Sequence, residues 1–295
     1  MNIDGLDGGP SSADSLAGGF LVGKTKAPEL HVMSWNIRRR VRHLRPRTPD
    51  RWHVRAPRIR ALLQAEEPAI LGVQEALPDQ TRFIQEALGP TYRSVGHGRG
   101  PRKGGESCPM FYDNSQLELL SWEQRALSDR PSQAGSVSWG NIVPRIVVVA
   151  VYRERASNNV FQAINTHFDH MSSRARRQSA RAVTQLVSAD SLPTVVMGDL
   201  NARTGSPPLL ELLSGRALID VWEAAESLVS PRWGTFASYR TPRLDTRRID
   251  WILVSPDFGI RCAGINGWQY GGGWGSDHLP VQAILRMPSR GDRDD

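Results

Sequence analysis

The stretch Ile146-Val147-Val148-Val149-Ala150-Val151-Tyr152, entered through Pro144 and Arg145, is apolar at nearly every position and rich in β-branched side chains. A strand with one wet face alternates polar and apolar residues, whereas one without alternation is covered on both faces. This stretch therefore demands a sheet lying between two other layers. A turn at Ser157-Asn158-Asn159 follows, and residues 160–167 make its hairpin partner, ending in His167-Phe168-Asp169-His170.

Around this hairpin, strand-like and helix-like segments alternate. Residues 30–37 read as a strand with His31, Met33 and Trp35 opposed to Val32, Ser34 and Asn36. Residues 55–67 carry Ile59, Leu62 and Leu63 at helical spacing until Pro68 stops the pattern. Further strands are expected at 69–75, 106–112, 117–122, 192–197 and 247–256, with a last one within 275–285. Helices are expected at 80–88, 173–188 and 207–213, and 223–243 reads mostly as loop. The Gly/Ser/Asp-rich residues 1–28 read as a disordered leader, 29–287 as one α/β domain and 288–295 as a flexible tail.

Charge narrows the partners. Lys+Arg 37 against Asp+Glu 30 leaves a formal +7, which favours anionic or phosphorylated molecules. Arg38, Arg39, Arg40, Arg42, Arg45, Arg47 and Arg51 form either a solvated face or a phosphate-attracting rim. The basic loop 96–105 lacks the strand-to-helix setting of a nucleotide-binding loop. Two cysteines without paired spacing speak against a disulfide framework and a zinc knuckle. No run approaches the roughly 18 apolar residues needed to cross a bilayer, and the acidic start lacks the charge of a signal peptide, so a cytoplasmic protein without membrane insertion is expected.

Polar residues gather where the expected strands end. Asn36, Glu75, His167, Asp199, Asn201, Asp250, Asp277 and His278 all lie at or beside such ends. Each alone has an ordinary reading, such as an Asx turn at Asp199 or an exposed acid at Glu75. Together they form an oxygen-rich set without cysteine, which suits Mg²⁺, or Mn²⁺ in its place, better than zinc. Histidines beside such a set suit phosphate chemistry, in which water attacks phosphorus and the added charge must be stabilised.

Six motifs carry a resemblance. Met33-Ser34-Trp35-Asn36, Gln74-Glu75, Asn165-Thr166-His167, Gly198-Asp199-Leu200-Asn201, Arg248-Ile249-Asp250-Trp251-Ile252 and Ser276-Asp277-His278-Leu279-Pro280-Val281 stand in the order of the endonuclease/exonuclease/phosphatase superfamily. The resemblance implies an α/β (α+β) four-layer sandwich, two facing mixed β-sheets flanked by helices, with the site at one edge. It also implies roles. Glu75, Asn36 and Asp277 would bind Mg²⁺, Asp199 would activate water, and Asn201 would hold Asp199 or the phosphate. His278 would contact the phosphate, with Asp250 fixing its tautomer. His167 would be a second phosphate-facing histidine and the proton donor, supported by Glu106, and Arg145 would bind phosphate. His170 would be structural.

The expected activity is metal-dependent phosphoester hydrolysis. The positive charge, together with Trp35, Trp52, Trp139, Trp268 and Trp274 as stacking or packing residues, puts a phosphodiester in nucleic acid first. A small phosphorylated metabolite or lipid headgroup is the alternative enzyme substrate, and an inactive nucleic-acid-binding module the alternative class. No protein partner is evident from the sequence.

Overall fold

A computed structural model describes residues 19–43, 48–244 and 246–287. In chain order the elements are β1 (Glu29–Asn36), α1 (Trp52–Glu66), β2 (Ile70–Gln74), α2 (Pro78–Leu88), β3 (Tyr92–Val95), β4 (Met110–Asp113) and β5 (Leu117–Ala126). They continue as β6 (Ile146–Glu154), β7 (Val160–His167), α3 (Ser173–Ala189), β8 (Thr194–Asp199), α4 (Pro207–Leu213), β9 (Ile219–Asp220) and α5 (Val221–Ala224). β10 (Ser227–Leu228), β11 (Asp250–Val254), β12 (Gly259–Ile265) and β13 (Val281–Arg286) close the domain.

Two mixed sheets result. One runs β10-β12-β13-β1-β2-β4-β3 and the other β5-β6-β7-β8-β11-β9. Three apolar clusters separate four layers. Val32, Ile70, Met110, Val148, Ala150, Met197 and Ile252 fill the space between the sheets. Met33, Trp35 and Leu71 meet Ile59, Leu62 and Leu63 of α1, and Val147, Val149 and Val196 meet Ala180, Val183 and Val187 of α3. β6 thus sends alternate side chains into two different cores, which is why its sequence shows no alternation. The same holds for β1, where Val32 enters the inter-sheet core and Met33 and Trp35 the helical one.

The sheets are also tied by polar groups. Asn165 on β7 donates from Nδ2 to the carbonyls of Val73, Cys108 and Pro109 at 2.9–3.0 Å, and its Oδ1 accepts from Gln74 Nε2 at 2.8 Å. This buried amide is fully satisfied, so it fixes the two sheets in one register.

Some boundaries differ from the sequence reading. The strand expected over 106–112 starts only at Met110, because Pro109 has no N–H to donate to a ladder. Ser107 makes isolated bridges to Ala76 and Gly98 instead. β3, the two-residue strands β9 and β10, and β12 were not anticipated; β12 reads Gly-Ile-Arg-Cys-Ala-Gly-Ile, with two glycines and an arginine in seven residues. Residues 1–18 of the expected leader and 288–295 of the expected tail lie outside the described residues, as do Arg45 and Arg47. Residues 19–28, assigned to the leader, instead pack on the domain. Leu21, Val22 and Gly23 donate backbone N–H groups at 2.7, 3.1 and 2.9 Å to the buried Glu66 carboxylate at the end of α1. A buried carboxylate needs such donors, and composition could not reveal it. Among the described residues no helix is long and apolar enough to cross a membrane.

Candidate active site

Strand polarity assembles the site. β1 and β2 run parallel with Asn36 opposite Gln74, and β7 and β8 run parallel with His167 opposite Asp199. β11 runs antiparallel to β8, which sets its first residue, Asp250, against Asp199. β13 runs antiparallel to β1, so Asp277 and His278, which precede it, meet the exit of β1 at the same edge. Residues far apart in sequence therefore share one rim.

The backbone turns sharply there. Arg38, Glu75 and Asn201 each follow a strand and have positive φ of 57°, 64° and 46°. Non-glycine residues rarely adopt this region, and such outliers gather at functional sites. Gly198 is required for a related reason: a Cβ on it would run into the Thr166 carbonyl of the neighbouring strand.

Asn36 links the two halves. Its Nδ2 donates to Glu75 Oε1 at 3.1 Å and to Asp199 Oδ2 at 3.0 Å, while its Oδ1 accepts from the Arg38 N–H at 2.9 Å. Its amide thus ties the two carboxylates together, and Oδ1, which accepts this one N–H, keeps a second lone pair. Burial opposes ionisation of Glu75, but the Arg39 N–H, Asn36, His278 and Arg38 hold its pKa below the ordinary value. Glu75, Asp277 and Asp50 converge on the Arg38 guanidinium at 3.9, 3.8 and 3.7 Å. Asp50 was not singled out from sequence, and Arg38 was read there only as one of the arginine run. Arg55 was missed too: fully buried, it donates to the carbonyls of Ile37, Arg39, Asp50 and Gly275 and so pins the β1 exit to the loop before β13.

A second group surrounds Asp199. His278 Nδ1 lies 2.8 Å from Asp250 Oδ2, and its Nε2 lies 3.8 Å from Asp199 Oδ2. Burial works against the imidazolium, yet Asp250 and Asp199 outweigh it and push His278 up to about 10. Asp199 is raised by burial and by Asp250, against the opposing pull of His278, Asn36 and the Asn201 N–H. His167 behaves oppositely: burial, reinforced by Arg145 and Arg99, drives it well below its usual value. The surroundings thus push the two histidines in opposite directions, His278 towards the imidazolium and His167 towards the neutral imidazole. His167 Nε2 sits 3.5 Å from Asp199 Oδ2 and 3.2 Å from Asn201 Nδ2, and Asn201 also donates to the Phe168 carbonyl at 3.1 Å.

Glu106, expected beside His167, instead bridges Arg39 and Arg99 at 2.9 Å each, because two guanidiniums satisfy a nearly buried carboxylate better than a neutral imidazole. Arg145 is 3% exposed and is braced by Asp169 at 3.5 Å and His170 Nδ1 at 2.9 Å, while its Nη1 is buried without a hydrogen-bond partner. His170, expected to be structural, lines the cavity alongside it.

These groups enclose a cavity of about 660 Å³ lined by seven arginines and four carboxylates. The acids suit a hard divalent cation, since the donor set offers oxygens and no thiol. Two acid groupings exist. Asp199, Asp250 and His278 bring candidate ligand atoms within 4.8 Å of one another, but the short His278–Asp250 bond and the cationic imidazole disfavour a metal between them. Glu75 and Asp277 remain the better-suited pair. None of the five tryptophans considered for base stacking lines the cavity; Trp35 is buried against α1, and Trp52, Trp139, Trp268 and Trp274 pack on the cores.

A two-sheet sandwich with a carboxylate and histidine cavity at one edge defines a class of phosphoester hydrolases. The chain belongs to the Endonuclease/Exonuclease/phosphatase family, whose sequence model matches residues 33–278. Among solved structures it resembles a family protein from Bacteroides thetaiotaomicron at 27% identity and TM-score 0.80, covering 87% of this chain and 97% of that one. A mannosyl-6-phosphatase from the same organism matches at 27% identity and TM-score 0.79, covering 87% and 99%. A family protein from Bacteroides vulgatus matches at 29% identity and TM-score 0.79, covering 88% and 99%. No match was found among curated proteins.

Proposed function

We propose that the chain hydrolyses a phosphate ester of a small polar molecule, with Asp199 taking the proton of the attacking water. The observation that carries this reading is the juxtaposition of a buried Asp199, its pKa raised, with a cationic His278 at 3.8 Å in an arginine-walled cavity. A carboxylate of raised pKa is the better general base near neutral pH. The Asn201 N–H, at 2.9 Å from Oδ1, fixes the carboxylate's orientation. The His278 imidazolium is placed to donate from Nε2 to a phosphate oxygen and to stabilise charge that builds there. Asp250 holds His278 in that state as a positioning residue. Neutral His167 is a poor proton donor, so its role is a polar contact with phosphate beside Asn201, with Arg145 Nη1 as a further donor. The leaving oxygen takes its proton from the His278 imidazolium, which the proton gained by Asp199 then restores across 3.8 Å.

Glu75 and Asp277 would hold Mg²⁺, with Mn²⁺ as a substitute, while Asn36 keeps Glu75 oriented. When bound, the ion supplies positive charge that polarises the phosphoryl group. The small-molecule substrate is favoured by the absence of stacking tryptophans from the cavity and by the likeness to a mannosyl-6-phosphatase.

A phosphodiester in nucleic acid is the second reading, favoured by the +7 charge and the arginines at the rim. A panel of hexose phosphates, nucleotides, single-stranded DNA, RNA and abasic duplex, run with Mg²⁺ or Mn²⁺ and an Asp199→Ala blank, separates the two. Turnover of sugar phosphates above the blank supports the first reading, turnover of polymers alone supports the second, and none above the blank contradicts both.

A further inference from the structure

The catalytic cavity does not end at its metal-facing acids. Two grooves open from it, and Arg203 lines all three spaces. One groove shares Arg176 and Asn201 with the cavity and adds Arg177; the other shares Arg247. No carboxylate lines either groove among the described residues. This contrasts with the cavity, where Glu106 pairs with Arg39 and Arg99. Arg203 and Arg177 are exposed and bond to no side chain among the described residues. Arg247 only overlies the Phe236 ring, its guanidinium carbon 5.7 Å from the centroid. Unpaired guanidiniums that share a carboxylate-free concavity repel one another and gain most from an anion.

Their position limits what that anion is. Arg203 stands two residues beyond Asn201, so their Cα atoms are at most about 7.6 Å apart. Arg203 also lines the cavity that Asn201 and His278 line, so an anion held there sits beside the phosphate site rather than at a remote surface. Resting on the phosphoesterase reading of the cavity, we infer that the substrate carries a second phosphate, which Arg203 and Arg247, the two arginines common to the cavity and one groove, bind. That group belongs either to a bisphosphorylated small molecule or to the neighbouring nucleotide of a strand; the chemistry recognised is the same.

The test compares probes that differ by one phosphate: fructose 1,6-bisphosphate against fructose 6-phosphate, and a 5′-phosphorylated dithymidylate against the same dithymidylate with a free 5′-hydroxyl. Binding is measured by calorimetry with Mg²⁺ in an Asp199→Asn background, with and without Arg203→Glu. The expected result is at least tenfold tighter binding of the two-phosphate member of one pair, a preference abolished by Arg203→Glu and largely kept in Arg203→Lys. A preference confined to the sugar pair identifies a bisphosphate, and one confined to the nucleotide pair identifies a strand. Equal affinities within both pairs, or a preference that survives Arg203→Glu, overturns the inference. Because these are binding measurements, they stand apart from the turnover panel: turnover without a two-phosphate preference sinks only this inference, and a preference without turnover sinks only the hydrolytic reading.

Discussion

Asp250 and His278 show how one residue sets the state of another. Asp250 is fully buried, its Oδ2 holds His278 Nδ1 at 2.8 Å, and its Oδ1 is buried without a partner among the described residues. Because His278 is raised from 6.5 to about 10 in the folded protein, the pair stabilises the fold fully below about 6.5, and that contribution is lost as pH climbs through about 10. Asp250→Asn removes the first of the charges that hold the proton. The alkaline limb of the pH-rate profile is therefore expected to move to lower pH in this variant. Its stability deficit in urea should also be larger at pH 6 than at pH 10. A profile superimposable on wild type would show that Asp250 does not govern the His278 proton.

At the scale of elements, Asn165 is the clearest test. Asn165→Ala removes this donor from the carbonyls of Val73 and Cys108, leaves Pro109 with the Val73 N–H alone, and opens a void between the sheets. A loss of about 3 kcal/mol in urea unfolding is expected, and a loss under about 1 kcal/mol would mean the sheets hold register without this amide. Elements of this kind were unevenly legible in sequence. β6 and β7 announced themselves because both faces are covered, and α1 and α3 because their apolar spacing faces one sheet each. The short strands β3, β9 and β10 gave no period to read. Strand ends carrying Glu75, Asp199, Asn201 and Asp250 were visible as polar residues at the end, or for Asp250 the start, of apolar runs. Asp50 and Arg55 were not, and Arg38 was seen only as one of an arginine run, because their meaning depends on which distant carbonyls and carboxylates the fold brings to them. Glu106 was misassigned for the same reason: its partners, Arg39 and Arg99, approach from two separate loops.

On the scale of the whole molecule, the +7 charge and the arginine-lined edge act together, and their reach depends on salt. A small substrate with one or two phosphates meets few of these charges at once. Its KM is expected to rise only a few-fold between about 50 and 200 mM salt, whereas a strand contacting six or more phosphates would lose roughly a thousandfold in affinity. A steep loss would turn the account toward the nucleic-acid reading without disturbing the catalytic edge.

The proposed chemistry depends on one pairing across the cavity, with Asp199 at the end of β8 as proton acceptor and His278 in the loop before β13 as cationic donor. The most direct test is kcat/KM for the phosphate ester that the wild-type protein turns over fastest, compared with Asp199→Asn and His278→Ala at saturating Mg²⁺. Losses of about a thousandfold or more are expected in each, carried mainly by kcat. Turnover within a few-fold of wild type in both variants would contradict the assignment of this edge as the active site.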